Sequence, residues 1–461
     1  MKSQLKKLAG NTLIFTIGNG ISLILSFIMV PFYTKVLTTS EFGLSDIIIT
    51  TVSMLLPLLS LNIFSAIFRY ALDKGEDQVQ IFTNGFVVSV IGMFISLGVA
   101  GICSIAGLKY SFLIGVYLSV TLFLNLFQNF TRGIGKVKTY ALSGIINSFT
   151  NVFSNLLLMW IFKLGLNGYL YSLIISVVST SIFLFFYNKL YKYIDYNRVS
   201  WIKTKELLRY SIPMIPNSFA WWLTNDANKI IILTFLGTSA NGLLAVANKI
   251  PSMITTLFSM FTNAWQMTAV DENGKKNTSE LYNVTFNMIF GGLIILCSII
   301  VLFIRLFMKF YVDVSYFEAW KIVPFLLLSS IFSSVSAFFG TTYLVAKETK
   351  GLIMTTIWGM ITNIVFCLIL VPIIGINGAG VSGSIGFLVV SMLRFKQTKK
   401  YVQLKLSRLF LILLLIGYLL ITALVILELN IGISFCVFVV MIIIFVIKIF
   451  NFNKRYNVKT Q

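Results

Sequence analysis

The chain has 461 residues, of which 57% are hydrophobic and 11% charged, and its formal net charge is +21. A soluble domain carries about 25% charged residues, so this composition excludes a soluble globular protein and predicts an all-α polytopic membrane protein. The sequence has no histidine, which removes the usual proton shuttle and the commonest metal ligand. Its four cysteines form no CxxC pair. We therefore expect no metal and no cofactor.

About fourteen apolar segments are each long enough to cross roughly 30 Å of hydrocarbon. In chain order they are residues 11–33, 42–68, 81–106, 111–131, 140–162, 166–187, 210–235, 240–266, 281–304, 318–345, 351–372, 376–393, 407–427 and 430–450. The gap between the last two is so short that one re-entrant unit is an alternative to two spans. All loops on one side of the membrane are short, so we expect no soluble catalytic domain there.

The 36 Lys and Arg residues are unevenly distributed between alternate loops. If the N-terminus is cytoplasmic, most of them fall on the cytoplasmic side. The outer loops then hold only Lys35, Lys109, Lys163, Arg305, Lys309 and Lys321. The positive-inside rule predicts this orientation, with both termini in the cytoplasm. The excess positive charge is then topological and does not indicate nucleic acid as a partner.

The first span carries a polar face that includes Asn19, which either bonds to a neighbouring helix or lines a cavity. Two short matches indicate an internal repeat. The sequence LTTSEFGL at 37–44 aligns with LGTSANGL at 236–243, and GLNG at 165–168 aligns with GING at 375–378. Both matches imply a repeat of six spans, and because six is even, the two copies insert in parallel.

The repeat predicts two parallel lobes of six helices each. The predicted parts are an N-lobe at 1–187, a cytoplasmic linker at 188–208, a C-lobe at 209–395, and two further helices with a basic tail at 396–461.

Spans seven and eight carry charges that a lipid-facing helix excludes, since a charge near the bilayer centre costs about 2.5–3.5 kcal/mol on insertion scales. The polar residues are Asn225, Asp226, Asn228 and Lys229 in span seven, and Asn248 and Lys249 in span eight. One interpretation is that the lysines extend to the interface or pair with Asp226. The other is an amide-rich cationic patch that faces a cavity, with Lys for a phosphate and Asn for sugar hydroxyls.

Three prolines interrupt the same two helices, namely Pro213, Pro216 and Pro251, and predict a hinge there.

Several segments, in order along the chain, resemble the polysaccharide flippases of the multidrug/oligosaccharidyl-lipid/polysaccharide (MOP) exporter superfamily. They are PFYTKVLTTSEFGL, IFRYAL, RGIGKVKTYAL, NKIIILTFLGTSANGLLAVANKI and LVPIIGINGAGVSGSI. The resemblance implies two six-helix lobes around a cavity and transport of undecaprenyl-diphosphate-linked oligosaccharides by alternating access. It puts Asn19, Arg69, Asp226, Lys229 and Lys249 at positions where members of the family have cavity or gate residues, without fixing their individual roles. We predict a gate or cytoplasmic entrance at Arg69 and Arg132, and the substrate cavity at the other four. Some relatives, the lipid II flippases, have several arginines in the first two spans, where this chain has Arg69 alone.

These features predict a non-enzymatic flippase for a surface polysaccharide such as O-antigen or capsule, in the bacterial plasma membrane. The expected partners are the lipid-linked oligosaccharide, the bilayer, and the polymerase and glycosyltransferases of the same pathway. Coupling to protons or sodium ions, with Asp226 as the switch, is a further hypothesis. The alternatives are a multidrug or cation exporter of the same superfamily and, in another class, a membrane glycan polymerase.

Overall fold

The computed structural model describes residues 20–73, 75–271, 278–346, 350–400, 402 and 407–460. Within these ranges every regular element is a helix, which confirms the predicted all-α class. Twelve of the described helices are long and apolar enough to cross a membrane. The shorter apolar helix Gly20–Val36 and the more polar helix Lys249–Asp271 occupy the two other predicted spans.

Backbone contacts group the chain into two compact units, Met1–Asp226 and Ala227–Gln461. The first unit contains α1 (Gly20–Val36), α2 (Thr39–Leu59), α3 (Ile63–Ala71), α4 (Gln78–Ile105), α5 (Ser111–Gly133), α6 (Val137–Asn155, continued by a π-helical turn at Leu156–Ile161), α7 (Gly165–Tyr187) and α8 (Trp201–Ser211). Helix α5 packs against α4, α3 and α7, and its buried aromatic and aliphatic side chains form the core of this unit.

The predicted second span is two helices, α2 and α3, and not one. The chain breaks between them at Leu61 and Asn62, which have φ angles of 48° and 52°. Ser60 donates its hydroxyl to the Leu56 carbonyl and accepts the Asn62 amide N–H, at 2.7 and 3.1 Å. Serine and asparagine compete in this way for backbone groups that a helix would use. The helix therefore ends at this point, although the apolar sequence pattern continues beyond it.

Helix α9 (Ile215–Ala247) crosses the boundary between the units: its residues up to Asp226 belong to the first unit and those from Ala227 onward to the second. After it come α10 (Lys249–Asp271), α11 (Thr278–Tyr311), α12 (Val323–Val345), α13 (Lys350–Ile374), α14 (Asn377–Thr398), α15 (Arg408–Ile426) and α16 (Ile431–Thr460). Helix α14 packs against α12 and α13, α10 packs against α12, and α15 packs against α11 and α16. Helices α15 and α16 are separate, so the last two predicted spans do not merge into one unit.

The turn between spans seven and eight falls at Gly237, inside α9. Gly237 has φ 82° and ψ −176°, a backbone region that only glycine adopts readily. Span eight therefore begins within α9 and continues through α10. The ninth span is longer than predicted, because α11 extends to Tyr311 and takes in part of the stretch expected as a loop at 305–317.

One aligned pair in the second repeat match adopts a matching backbone conformation, whereas in the first match Gly237 has positive φ and the aligned Thr38, at −70°, does not. Gly165 and Gly375 both have positive φ, 50° and 65°, and each lies at or just before the start of a spanning helix. The glycines that follow in the second copy allow close packing: a Cβ at Gly378 would lie 2.6 Å from the backbone of Leu370 and Val371. The GINGAG segment thus serves a turn and helix packing.

Candidate functional site

Helix α10 is amphipathic in a way that a lipid-facing span is not. Its buried face includes Ile250, Ile254, Phe258 and Trp265. Phe258 packs 5.5 Å from Phe290 and Trp265 packs 5.1 Å from Phe338, measured between ring centroids. This face fixes the rotation of the helix against α11 and α12.

The opposite face of α10 is a hydrophilic stripe of exposed or partly buried residues. It consists of Lys249, Ser252, Thr256, Ser259 and Asn263, at alternating steps of three and four residues. The Ser252, Thr256 and Ser259 hydroxyls donate to carbonyls three or four residues earlier in the same helix. Because each of these oxygens can still accept hydrogen bonds, the stripe presents acceptors, an amide and an ammonium group together.

A kink lies at the beginning of this stripe. Pro251 has no N–H, so the Ala247 carbonyl lacks the donor that a continuous helix would supply. The α9 assignment ends at Ala247 and α10 begins at Lys249. Asn248, between them, is partly buried. Pro251 therefore produces the irregular backbone that presents Asn248 and Lys249, as the sequence predicted for a helix interruption. Its action as a hinge stays a prediction.

Asp226 and Lys229 lie on α9, three residues apart and therefore on neighbouring positions of one helical face. Both side chains are partly buried, and both have interaction partners in the protein. Two predicted residues cannot be placed: Asn19 and the side chain of Asn225 lie outside the described parts of the structure. The predicted cavity role of all these residues stays a prediction.

Asn228 has a packing role on α9. Its amide exchanges hydrogen bonds with the amide of Asn363 on α13, at 3.4 and 3.2 Å, and donates to the Ala379 carbonyl of α14 at 3.3 Å. Asn363 is 4% exposed. At about 100° per residue, Asp226 lies roughly 160° around the helix from Asn228. The amide pair therefore fixes which direction the adjacent Lys229 faces.

The two predicted gate arginines lie at one end of the first unit. Arg69, near the end of α3, pairs with Asp73 at 2.7 Å, and both side chains are about half exposed. The Arg132 guanidinium, near the end of α5, lies 3.7 Å from the ring centroid of Phe68. The structure thus brings Arg69 and Arg132 to neighbouring positions through Phe68, and their role as a gate is untested.

Pro213 and Pro216 lie where the chain passes from α8 to α9. Pro213 is in a short 3-10 turn, Ile212–Met214, and Pro216 is in the first turn of α9. Their missing N–H groups interrupt the helical hydrogen bonds at this point. The structure therefore contains the predicted interruption, and again the hinge motion itself stays a prediction.

Sequence reasoning missed one buried charge, Arg394, which it had assigned to a cytoplasmic loop. Helix α14 continues to Thr398, so Arg394 lies inside it and is 8% exposed. Its guanidinium donates to the Ser336 hydroxyl and carbonyl on α12 (both 2.9 Å), and to the Thr355 and Thr356 hydroxyls on α13 (3.1 and 2.9 Å). A cluster of hydroxyl residues opposite an arginine in neighbouring spans is the signal that could have revealed it.

A model of the polysaccharide biosynthesis protein family matches residues 8–266, which is more than half of the chain. The chain belongs to this family. The membership confirms the resemblance on which the sequence analysis relied.

Solved structures of MOP superfamily proteins share the fold of this family member. The lipid II flippase MurJ, in an inward closed conformation, has a TM-score of 0.67 at 14% identity. The match covers 96% of this chain and 99% of the MurJ chain. An inward-facing multidrug resistance MATE family transporter has a TM-score of 0.65 at 16% identity and covers 84% and 94%. A MOP superfamily transporter from Pyrococcus furiosus, described as having a binding pocket of reverse polarity, has a TM-score of 0.52 at 15% identity; the match covers 84% of this chain and 94% of the transporter.

At these identities the likeness shows the fold alone. No curated protein matches the sequence. The chain is therefore a multi-pass membrane protein of the polysaccharide biosynthesis family, with the fold of membrane flippases and transporters.

Proposed function

We propose that the protein is a flippase for an undecaprenyl-diphosphate-linked oligosaccharide, the repeat unit of O-antigen, capsule or a similar surface polysaccharide. It moves this substrate from the cytoplasmic to the outer leaflet of the bacterial plasma membrane by alternating access, with both termini in the cytoplasm. Family membership supports the pathway. The observation that carries the proposal is the hydrophilic stripe of α10, which begins at Lys249 and is only partly buried within a span.

The chemistry of that stripe suits the proposed headgroup. A diphosphate needs positive charge, and Lys249 and Lys229 supply it. Sugar hydroxyls need both donors and acceptors, which Ser252, Thr256 and Asn263 supply. In this proposal the headgroup passes along the stripe while the polyprenyl tail stays in lipid. Asp226, three residues from Lys229, is the proposed protonation or sodium switch that resets the transporter.

The same residues give less support to two other functions, a cation exporter and a glycan polymerase. A cation exporter favours a net acidic site, whereas Lys229 and Lys249 outnumber Asp226. A glycan polymerase would need catalytic residues in a sizeable outer loop, and the predicted outer loops are short. The proposal is therefore transport without covalent chemistry, in a pathway that supplies polymerase and glycosyltransferases as partners.

The test is transport by purified protein in proteoliposomes. A fluorescent polyprenyl-diphosphate oligosaccharide is placed in one leaflet, and its appearance in the other is followed. We expect Lys229→Ala and Lys249→Ala each to slow transport several-fold, because each substitution removes one positive charge that would pair with the diphosphate. Lys309→Ala is the matched control, since Lys309 is an exposed lysine at the end of α11.

Normal transport by both variants would contradict the role of the lysines. Efflux of cationic dyes by the wild-type protein, with no movement of the lipid-linked sugar, would instead favour the exporter function.

A further inference from the structure

The segment that joins the two halves of the sequence is a folded strap and not a loose tether. We define the strap as residues 188–211; it contains two 3-10 turns, Leu190–Tyr193 and Tyr196–Arg198, and helix α8. Its location at the ends of α4, α5 and α7 follows from three hydrogen-bonded contacts.

Asn84, near the start of α4, holds the strap most firmly. Its amide oxygen accepts the Ser200 N–H and the Thr204 hydroxyl, both at 2.9 Å, and its amide nitrogen donates to the Arg198 carbonyl at 3.2 Å. Asn84 is fully buried.

Two more bonds hold the first half of the strap. Thr83 donates to the Tyr193 carbonyl at 2.9 Å, and Asn188 donates to Thr131 on α5 at 2.9 Å. Because α4, α5 and α7 are membrane spans, these bonds hold the strap at a membrane boundary.

Acidic residues around the strap are engaged with two of its cations. Lys203 lies between Glu76 at 2.7 Å and Glu206 at 3.0 Å. Arg198 lies between Asp77 at 3.1 Å and Asp195 at 3.8 Å.

Four further cations of the strap are exposed, and their charged side-chain groups have no hydrogen-bond or ion-pair partner among the residues that the structure describes. They are Lys189, Lys192, Lys205 and Arg209. The strap therefore presents a surplus of positive charge.

The strap also exposes large apolar side chains beside these cations. Trp201 and Ile202, in the first turn of α8, are 74% and 82% exposed. Residues on the other face of α8, including Thr204 and Leu207, are buried against the first unit. A helix whose outer face combines Trp, an aliphatic residue and cations, at the boundary of a membrane, has the pattern of a helix that lies in the lipid interface.

We propose that the strap is a binding surface for anionic phospholipid headgroups of the adjacent leaflet. Trp201 and Ile202 insert at the headgroup level, and Lys189, Lys192, Lys205 and Arg209 contact lipid phosphates. Basic residues next to a membrane are attracted to anionic lipids in this way. Lipid is favoured over an acidic protein because the strap is bonded to the ends of three spans, and α7 ends beside it with Phe186 and Tyr187, both 63% exposed.

The test uses the full chain in nanodiscs of phosphatidylcholine, with or without phosphatidylglycerol. Fluorescence of Trp201 is obtained as the difference between the wild type and Trp201→Phe. We expect bromine-labelled lipids to quench this fluorescence, and the quenching to increase several-fold when phosphatidylglycerol is present. Added salt should remove the increase, because it screens exposed charges.

A variant with Lys189, Lys192, Lys205 and Arg209 all changed to Gln should lose the dependence on anionic lipid. The matched control changes four other exposed lysines to Gln and should keep it: Lys35, Lys109, Lys163 and Lys309. The proposal fails if Trp201 is quenched by aqueous acrylamide and not by brominated lipid, or if lipid charge has no effect. Protection of Trp201 only in native membranes would indicate a protein partner instead and would also overturn it.

Discussion

Asn228 shows how one side chain can fix the direction of its neighbours on a helix. Its amide bonds to Asn363 and Ala379, so it holds α9 against α13 and α14. Lys229 is the next residue, and its direction depends on this attachment. Polar residues in spans often stabilise helix packing in this way. We predict that the amide contributes to the candidate site by positioning Lys229, which would supply the charge.

A double-mutant cycle tests this positioning role. We expect Asn228→Ala and Asn363→Ala each to lower the free energy of unfolding, with a coupling of about 0.6–1.7 kcal/mol, the range for hydrogen bonds between spanning helices. Transport should fall to the same level in both single variants and no further in the double variant. The measurements are unfolding in mixed micelles and the proteoliposome assay. Strictly additive effects would mean that Asn228 acts independently of Asn363.

Arg394 joins three helices through hydroxyl and carbonyl acceptors. We expect Arg394→Met to lower the free energy of unfolding by about 1–3 kcal/mol for each buried acceptor left without a donor. Ser336→Ala should cost less, because the Ser336 carbonyl still accepts from the guanidinium. Both variants are compared by chemical unfolding in micelles. A Ser336→Ala effect as large as that of Arg394→Met would show that the hydroxyl, and not the guanidinium, carries this junction.

At the scale of the element, α10 combines a rigid buried face with a proline at its start. The rings of Phe258 and Trp265 hold one face against α11 and α12. Pro251 interrupts the helix just where Asn248 and Lys249 are presented. We predict that this combination lets the end of the helix that carries Lys249 change direction while the packed portion stays in place.

Replacement of Pro251 by Ala tests that flexibility. Alanine restores an N–H that can donate to the Ala247 carbonyl, and a proline inside a helix costs about 3 kcal/mol. We therefore expect equal or higher thermal stability but several-fold slower transport. Gly101→Ala is a suitable control, since Gly101 lies inside α4 and a Cβ there would meet no neighbouring atom. Unchanged transport by Pro251→Ala would rule out the hinge.

For the whole molecule, the predicted orientation puts the strap and both termini in the cytoplasm. Single cysteines at exposed positions test it: Lys109→Cys between α4 and α5, and Tyr196→Cys in the strap. The four native cysteines, Cys103, Cys297, Cys367 and Cys436, are replaced by Ala in both variants. In intact cells a membrane-impermeant maleimide should label position 109 and not position 196. The reverse pattern would invert the orientation and the proposed direction of transport.

Much of the fold could be predicted from the sequence, because a lipid environment permits few backbone conformations. A span must satisfy its own N–H and C=O groups, so about twenty apolar residues in a row predict a helix. The prediction failed at Leu61 and Asn62, where local hydrogen bonds of Ser60 compete with the helix. It also failed at Arg394, whose charge suggested a loop although hydroxyls on two neighbouring helices could satisfy it.

The sequence by itself determined the class of the protein, the approximate limits of most of its spans, its family, and which polar residues the membrane must accommodate. Only the tertiary structure decided how those residues are placed: Asn228 faces helices α13 and α14, Arg394 is buried, and the stripe that begins at Lys249 is exposed or partly buried. The reason is that the periodicity of a helix shows which side chains share a face, whereas the direction of that face depends on the packing of neighbouring helices, which are distant in the sequence.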